Sequence, residues 1–185
     1  MKKIKSTGQY IAKIIRHNPD LVGISLDENG WASVDELIEG INSGDRYIDF
    51  ELLQEIVRTD KKQRFSFNED KSKVRAVQGH SIDVDLELKA IAPPKFLYHG
   101  TAVKYLESIK QSGIEKRTRN YVHLSRNEEI AKDVGARHGV PVILKIDAEK
   151  MNREGYEFFM AENGVYLTDY VPYKYVVEVL ENLQD

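Results

Sequence analysis

Apolar residues near the start of the chain recur with the period of a helix. Those between residues 10 and 15 line one face of a predicted helix, and Ser6 or Thr7 is a candidate N-cap for it. Pro19 predicts its end, because proline disfavours helical geometry at the preceding residue. We therefore expect a first helix that begins near residue 6 and stops before Pro19.

Two capped helices and a hairpin follow. Ser33 opens an S-x-x-E capping box, and Asp49 is placed to cap the next helix. Phe65 and Phe67 then alternate with polar residues, and the turn cluster at 68–73 leads into a return strand. Three helices followed by a β-hairpin are the element order of a winged helix, a nucleic-acid-binding variant of the helix-turn-helix.

The second half of the chain alternates strand and helix patterns. "KFLYHGT", "YVHLS" and "VPVILKID" are typical of strands, and three more strand candidates lie within residues 156–180. Residues 102–112 are predicted to form a helix that ends at Gly113. Ser125 with Glu128 forms another capping box and predicts a helix start there.

The length of the chain allows one large domain or two small lobes. The chain has 185 residues, with 41% hydrophobic and 31% charged residues, as is normal for a globular protein. Pro93-Pro94 suits a stiff connection, so we predict an α+β fold with lobes at 1–90 and 91–185. The absence of cysteine excludes disulfides and thiolate metal sites. No apolar run can span a bilayer and no signal peptide is visible, so we expect a cytoplasmic protein.

Basic residues are concentrated in one segment of the chain, although the net charge of the whole chain is negative. The net charge is −3, which excludes a global basic field for nucleic acid. Residues 58–75 nevertheless carry seven basic and three acidic residues, which is compatible with a phosphate-contacting surface. For the lysines, the favoured interpretation is a solvated hairpin whose edge lysines prevent aggregation. Arg64 differs from those lysines, because its planar fork suits bidentate binding of phosphate.

Three short motifs could carry chemistry. Arg16-His17 could hold an anion or move a proton, although cations at a helix C-terminus also favour the helix dipole. "YHGT" and "VHLS" each place a histidine, His99 or His123, at a predicted strand-to-helix turn, where Gly100 admits close approach of a ligand and a helix N-terminus offers N–H groups. Ordinary turns and a half-buried histidine are the alternatives, so the residues alone leave both interpretations open.

Other cofactor motifs are absent from the sequence. It contains neither G-x-G-x-x-G nor G-x-x-x-x-G-K-[ST], so the Rossmann and P-loop modes of nucleotide binding are not indicated. The five histidines are spread without the spacing of metal ligands. We therefore predict no metal site.

Taken in order, seven motifs resemble the NAD-dependent RNA 2′-phosphotransferases. They are "RHNP", "LDENGWASVDEL", "KQRFSF", "VRAVQGHS", "LYHGT", "YVHLS" and "PVILKID", and the resemblance extends from about Ile11 to Val179. Enzymes of this family remove the splice-junction 2′-phosphate from tRNA in fungi and have bacterial relatives. The resemblance implies an N-terminal winged-helix lobe on the RNA side and a C-terminal lobe like the ADP-ribosyltransferases that binds NAD.

The resemblance also implies site residues. The four essential basic residues of the family fall on Arg16, His17, Arg64 and Arg119, with Arg117 as the alternative for the last. The NAD contacts fall on His99, Gly100, Thr101, His123, Leu124 and Ser125. Where related transferases often carry a catalytic glutamate, this chain has an apolar residue near Val165. That departure fits an acceptor phosphate, which is already ionised and needs no general base.

The implied chemistry has two steps. The RNA 2′-phosphate displaces nicotinamide from NAD, and the neighbouring ribose hydroxyl then attacks phosphorus, leaving RNA with a 2′-OH and ADP-ribose 1″,2″-cyclic phosphate. We expect a tRNA-like substrate, a monomer, no membrane partner, and a phosphate site to which both lobes contribute. Two other functions stay open: ADP-ribosylation of terminal phosphates of nucleic acids, and nucleic-acid binding without catalysis.

Overall fold

A computed structural model of the chain describes residues 2–181. The chain divides into two compact units, Met1–Glu87 and Leu88–Asp185. Each unit combines helices with small antiparallel sheets, so the predicted α+β class is confirmed. Pro93-Pro94 lies within the second unit, where the backbone N–H of Ile91 already donates to the carbonyl of Phe158 at 2.8 Å. None of the helices in the described range is long and apolar enough to cross a membrane.

Three helices, a hairpin and one additional strand make up the first unit. In chain order they are α1 (Lys2–His17), β1 (Trp31–Ser33), α2 (Val34–Asn42), α3 (Phe50–Thr59), β2 (Phe65–Phe67) and β3 (Lys73–Ala76), with a 3-10 turn at Pro19–Val22. Strand β3 lies between β1 and β2 and is antiparallel to both. The three helices and the hairpin confirm the predicted element order. Strand β1 is an addition, because three residues are too few to show the alternation of a strand in sequence.

The first helix begins earlier than predicted. It runs from Lys2, so Ser6 and Thr7 lie inside it and the prediction that one of them caps it is wrong. Ile4 packs against the same core as Ile11, and Thr7 is buried. Core contacts in the first turns therefore extend the helix through two residues whose side chains would otherwise favour a cap.

The other two helices begin where local capping predicts. Oγ of Ser33 accepts a hydrogen bond from the Glu36 N–H at 3.3 Å, and the Asp49 carboxylate accepts one from the Leu52 N–H at 2.8 Å. The apolar faces of all three helices meet in one core, whose fully buried members include Ile11, Ile14, Ile15, Leu37, Ile41 and Leu53. Burial of the last apolar turn of α1 holds the end of that helix in place.

The second unit contains two three-stranded sheets and a short strand pair. Its elements are β4 (Phe96–Ala102), α4 (Leu106–Ser112), β5 (Ile114–Glu115), β6 (Val122–Leu124), α5 (Glu128–Gly135), β7 (Pro141–Asp147), α6 (Ala148–Arg153), β8 (Phe159–Met160), β9 (Tyr166–Thr168), β10 (Tyr170–Val171) and β11 (Val176–Leu180). The sheets have the orders β11-β7-β4, β6-β9-β8 and β10-β5. The six predicted strands are present. The predicted helix over 102–112 is a 3-10 turn, Val103–Tyr105, followed by α4.

A pair of backbone hydrogen bonds joins the end of β6 to β4. Tyr98 and Ser125 exchange N–H···O bonds of 2.8 Å in both directions. Ser125 therefore does not cap a helix, and that prediction is wrong. The cap is Asn127, whose Oδ1 accepts hydrogen bonds from the backbone of Glu129 and Ile130. The bridge keeps the chain extended at Ser125, so helix α5 starts beyond it.

Gly100 lies inside strand β4 rather than in a turn before a helix, which corrects the prediction made from "YHGT". A β carbon on Gly100 would stand 1.6 Å from the carbonyl oxygen of Ala131 in α5. A β carbon on Gly135 would stand 2.4 Å from the carbonyl oxygen of Thr101. The two glycines therefore let α5 lie directly against the β4 backbone, and that contact fixes the strand that carries His99.

Candidate active site

The Arg16-His17 pair ends α1 and is held by Ser81. The backbone N–H of Ser81 donates to the carbonyl of Arg16 at 3.0 Å, and the Ser81 hydroxyl lies 2.9 Å from Nδ1 of His17. The first bond satisfies one of the carbonyls that a helix leaves open at its C-terminus. Arg16 is half-buried and His17 is exposed. The pair thus combines a fixed backbone with an imidazole that a substrate can reach.

Close to this pair lies His80, whose side chain is only 2% exposed. Within residues 2–181, neither of its ring nitrogens has a hydrogen-bond partner. Burial lowers the pKa of His80 to about 4, and the positive charges of Arg16, His17 and Arg75 act in the same direction. His80 is therefore neutral at neutral pH, and it fills space among cations without adding to their charge.

Arg64 is connected to the same part of the first unit. Its Nη1 donates to Asp60 Oδ1 at 2.9 Å, and its backbone N–H donates to Asp60 Oδ2 at 2.7 Å. Its carbonyl accepts a hydrogen bond from the Val77 N–H at 2.9 Å. The segment 77–81 is thus bonded at one end to Arg64 and at the other to Arg16. Arg16 and Arg64 thus meet this segment through their backbone carbonyls, and His17 meets it through its ring.

In the second unit, His99 and His123 are joined directly. Nδ1 of His99 lies 3.1 Å from the backbone carbonyl of His123. Because a carbonyl oxygen only accepts, Nδ1 carries the hydrogen and Nε2 is the acceptor of the neutral ring. Burial lowers the pKa of His99, and Arg119, Arg117 and His138 lower it further, whereas the bond to the carbonyl opposes them. The His99 ring is therefore a neutral group surrounded by positive side chains.

Arg119 approaches the second histidine. Its Nη1 lies 3.4 Å from Nδ1 of His123, and since guanidinium only donates, this nitrogen of His123 is an acceptor. Much of the Arg119 side chain is exposed. Partial desolvation of the guanidinium group lowers its pKa, and Arg137 contributes to the same effect. Arg119 remains a cation at neutral pH, because guanidinium groups do not lose their proton in proteins.

The other predicted NAD contacts lie on the same strands. Thr101 follows Gly100 in β4 and is buried. Leu124 ends β6, with its side chain fully buried, so any ligand contact of Leu124 uses its backbone. Ser125 forms the bridge to Tyr98. Four of the predicted NAD contacts therefore lie around the point where β4 meets β6: His99, Thr101, His123 and Ser125.

Four residues that contact or influence the predicted site residues were not themselves predicted as site residues. His80 and Ser81 stand in the motif "VRAVQGHS", which was a signal for the family but not for a role of either residue. Asp60 precedes Arg64 by four residues, a spacing that indicates an ion pair only when both face the same way. Arg137 lies in an exposed loop and carries no sequence signal.

No metal centre is apparent within residues 2–181, where no three His, Cys, Asp or Glu side chains come together in a way that could hold an ion. The absence of a metal, which the spacing of the histidines predicts, stays a prediction.

Known proteins are similar to this chain over nearly its whole length. The family described as "RNA 2′-phosphotransferase, Tpt1 / KptA family" matches residues 2–170. A probable RNA 2′-phosphotransferase of Fusobacterium nucleatum is 55% identical over 170 residues, which cover 91% of this chain and 95% of that protein. Those of Flavobacterium johnsoniae and Acaryochloris marina are 48% and 43% identical, covering 93% and 96% of this chain and 94% and 98% of their own. The chain therefore belongs to the RNA 2′-phosphotransferase, Tpt1 / KptA family.

Proposed function

We propose that this protein removes an internal 2′-phosphate from RNA by transferring it to NAD. A phosphate oxygen of the RNA forms a bond to the ribose carbon that bears nicotinamide, and nicotinamide leaves. The adjacent ribose 2″-hydroxyl then forms a bond to phosphorus, and the bond to the RNA 2′-oxygen breaks. The products are RNA with a 2′-OH, nicotinamide and ADP-ribose 1″,2″-cyclic phosphate, and we propose a tRNA-like substrate.

Membership of the family carries this proposal, because the family is described by the transfer of an RNA 2′-phosphate. Two features of the structure support it. In the first unit, Arg16, His17 and Arg75 lie close to His80. In the second, Arg117 and Arg119 lie close to His99. We further propose that the first unit is a winged helix on the RNA side and that the second is an ADP-ribosyltransferase-like unit for NAD.

The first unit has the groups to dock a phosphate dianion. Arg16 and Arg64 would donate charge-assisted hydrogen bonds to it. A guanidinium has five N–H donors, and Asp60 accepts a bond from only one of the terminal nitrogens of Arg64. Arg64 is thus oriented by Asp60 and keeps donors for an anion. His17 would contribute charge or a proton, since its exposed ring can be reached from solvent.

The residues of the second unit fit a dinucleotide. The pyrophosphate of NAD is negative. Arg117 and Arg119 supply positive charge close to His99, and Arg137 supplies it close to Arg119. His99 offers Nε2 as an acceptor, because its Nδ1–H is held by the carbonyl of His123. When bound, NAD supplies the ribose carbon that accepts the phosphate, together with nicotinamide as the leaving group. The residues proposed to hold it are His99, Gly100, Thr101, His123, Leu124 and Ser125.

Arg119 is proposed to act in the second step. Charge grows on the phosphorus oxygens during that step, and a fixed guanidinium stabilises it without reorganisation of solvent. Removal of one such donor typically lowers the rate on the order of 10²–10³-fold.

The test is a defined reaction with product identification by mass. Protein is mixed with NAD and a short RNA that carries one internal 2′-phosphate, and matched samples lack either NAD or the 2′-phosphate. Loss of the phosphate from RNA together with the cyclic ADP-ribose product, in the complete sample only, is the expected result. A third RNA with only a 5′-phosphate tests the alternative. A stable ADP-ribose on that terminal phosphate, or binding of RNA without turnover, would overturn the proposal.

A further inference from the structure

We propose that Ser81 is a positioning residue for His17, a role that rests on the proposed use of His17 in proton transfer. The Ser81 hydroxyl holds the imidazole through Nδ1, so the proton is exchanged with the substrate at Nε2. Ser81 itself touches neither reacting group in this role.

The contact is built from two bonds of one residue. The Ser81 hydroxyl lies 2.9 Å from Nδ1 of His17, while its backbone N–H donates to the carbonyl of Arg16 at 3.0 Å. The backbone bond fixes Ser81 to the end of α1, and the hydroxyl then reaches the next residue of the same helix. An exposed histidine at a helix end can adopt several rotamers, and a hydrogen bond to its ring favours one of them. The Ser81 hydroxyl provides one such restraint on the His17 side chain.

The residues before Ser81 hold the segment against the same pair. Gly79 has φ +91°, which an L side chain rarely adopts, and a β carbon there would stand 3.4 Å from Cζ of Arg16. His80, the residue between Gly79 and Ser81, is buried and is neutral at neutral pH. Gly79, His80 and Ser81 thus form a support for Arg16 and His17 that adds no charge to the site.

A hydroxyl is suited to this position because its oxygen can accept from Nδ1–H throughout the proton exchange. It accepts from Nδ1–H when the ring is an imidazolium, and it still does so after the ring has lost its Nε2 proton and is the Nδ1–H tautomer. His17 could therefore gain or lose a proton at Nε2 without losing its support. Alanine at position 81 offers no acceptor, whereas threonine keeps the hydroxyl.

The first measurement reads the contact without any turnover. Long-range ¹⁵N–¹H correlation spectra show which nitrogen of each imidazole carries hydrogen, and the signals of His17 are identified by their loss in His17→Gln. We expect Ser81→Ala to change the ring nitrogen signals of His17, and Ser81→Thr to restore them. Trp31 fluorescence confirms that the first unit of each variant is folded. Unchanged His17 signals in Ser81→Ala would overturn the proposal.

The second measurement reads the consequence for the reaction. Ser81→Ala should lower the rate of 2′-phosphate removal about tenfold, the effect expected for loss of one hydrogen bond to a catalytic side chain. The apparent KM for NAD should stay unchanged, and Ser81→Thr should recover the rate. A wild-type rate in Ser81→Ala with altered His17 signals would also overturn the proposal. If the wild type does not remove the 2′-phosphate but the His17 signals change in Ser81→Ala, the Ser81–His17 contact is supported and the proposed function is wrong.

Discussion

Acid should destabilise the first unit through the protonation of one buried histidine. The ordinary pKa of histidine is 6.5, and in the folded protein the pKa of His80 is lowered to about 4. As the pH falls below 6.5, the unfolded chain takes up a proton at His80 and the folded chain does not. The contribution of His80 to stability is therefore complete above pH 6.5 and is lost progressively down to about pH 4.

The size of the effect follows from the two pKa values. Each pH unit between them lowers the free energy of unfolding by about 1.4 kcal/mol, so the loss over the whole interval is about 3 kcal/mol. His80 is only 2% exposed, so solvent screening does not reduce this value much. A typical domain is stable by about 5–15 kcal/mol, and the loss is therefore a measurable part of the total.

The assay uses the single tryptophan of the chain, Trp31, which lies in β1 of the first unit. Urea unfolding is followed by its fluorescence from neutral pH to about 4.5, where most of the effect is expected. The matched variant is His80→Phe, which removes the titrating group and breaks no hydrogen bond of the ring found within residues 2–181. His80→Leu is a second variant in case the larger ring strains the core.

Other groups also respond to acid, so the informative quantity is the difference between the two proteins. Burial is the largest single influence on the pKa of Asp27, in the same unit, and raises it, but hydrogen bonds from Trp31 and Lys73 together lower it below its ordinary value of 3.8. Both proteins retain that contribution. The free energy of unfolding should fall more steeply with acid in the wild type than in His80→Phe. Parallel curves would refute the reasoning that His80 is held neutral in the folded state.

Further predictions concern the reaction and the fold. Arg16→Ala should weaken binding of 2′-phosphorylated RNA before either step, whereas Arg119→Ala should accumulate ADP-ribosylated RNA as a slower band on a gel; near wild-type rates without that band would make Arg119 a surface charge only. Gly100→Ala should lower the melting temperature, because overpacking typically costs about 1–3 kcal/mol and the new carbon would stand 1.6 Å from the Ala131 carbonyl oxygen. Gly44→Ala is the control, since its new carbon would meet only an ordinary contact of 3.6 Å; an equal melting temperature for both variants would contradict the packing argument. Activity should persist in a chelator, and loss of activity that a divalent ion restores would show the prediction of metal independence to be wrong.

The sequence by itself determined the elements whose signals are local. Ser33 and Asp49 each cap a helix by bonding to a backbone N–H three residues ahead, so residues adjacent in the chain suffice to predict those starts. Pro19 likewise ends α1 through its effect on the preceding residue. The ordered motifs identified the family and nominated Arg16, His17, Arg64 and Arg119. No local rule assigns those four residues a role, because in sequence each could equally be a solvated charge.

Tertiary contacts decided the rest. Serine at 125 has the spacing of a cap, yet its pairing with Tyr98 on another strand keeps it extended, and Asn127 caps α5 instead. Gly100 has the local features of a ligand-binding turn, yet the approach of Ala131 places it in a packed strand. In each case a contact with another segment of the chain decides the local conformation, and the pattern around the residue contains no information about that segment.

The same reason explains what sequence could not show of the candidate site. His80 is neutral because residues 16, 17 and 75 come close to it and because the fold buries it. Ser81 meets His17 across 64 positions of chain, and His99 meets the carbonyl of His123 only because β4 and β6 are joined. Charge state and hydrogen-bond partner depend on what surrounds a side chain in space. The residue types were readable in the sequence, whereas their protonation and orientation were set by the packing of distant segments.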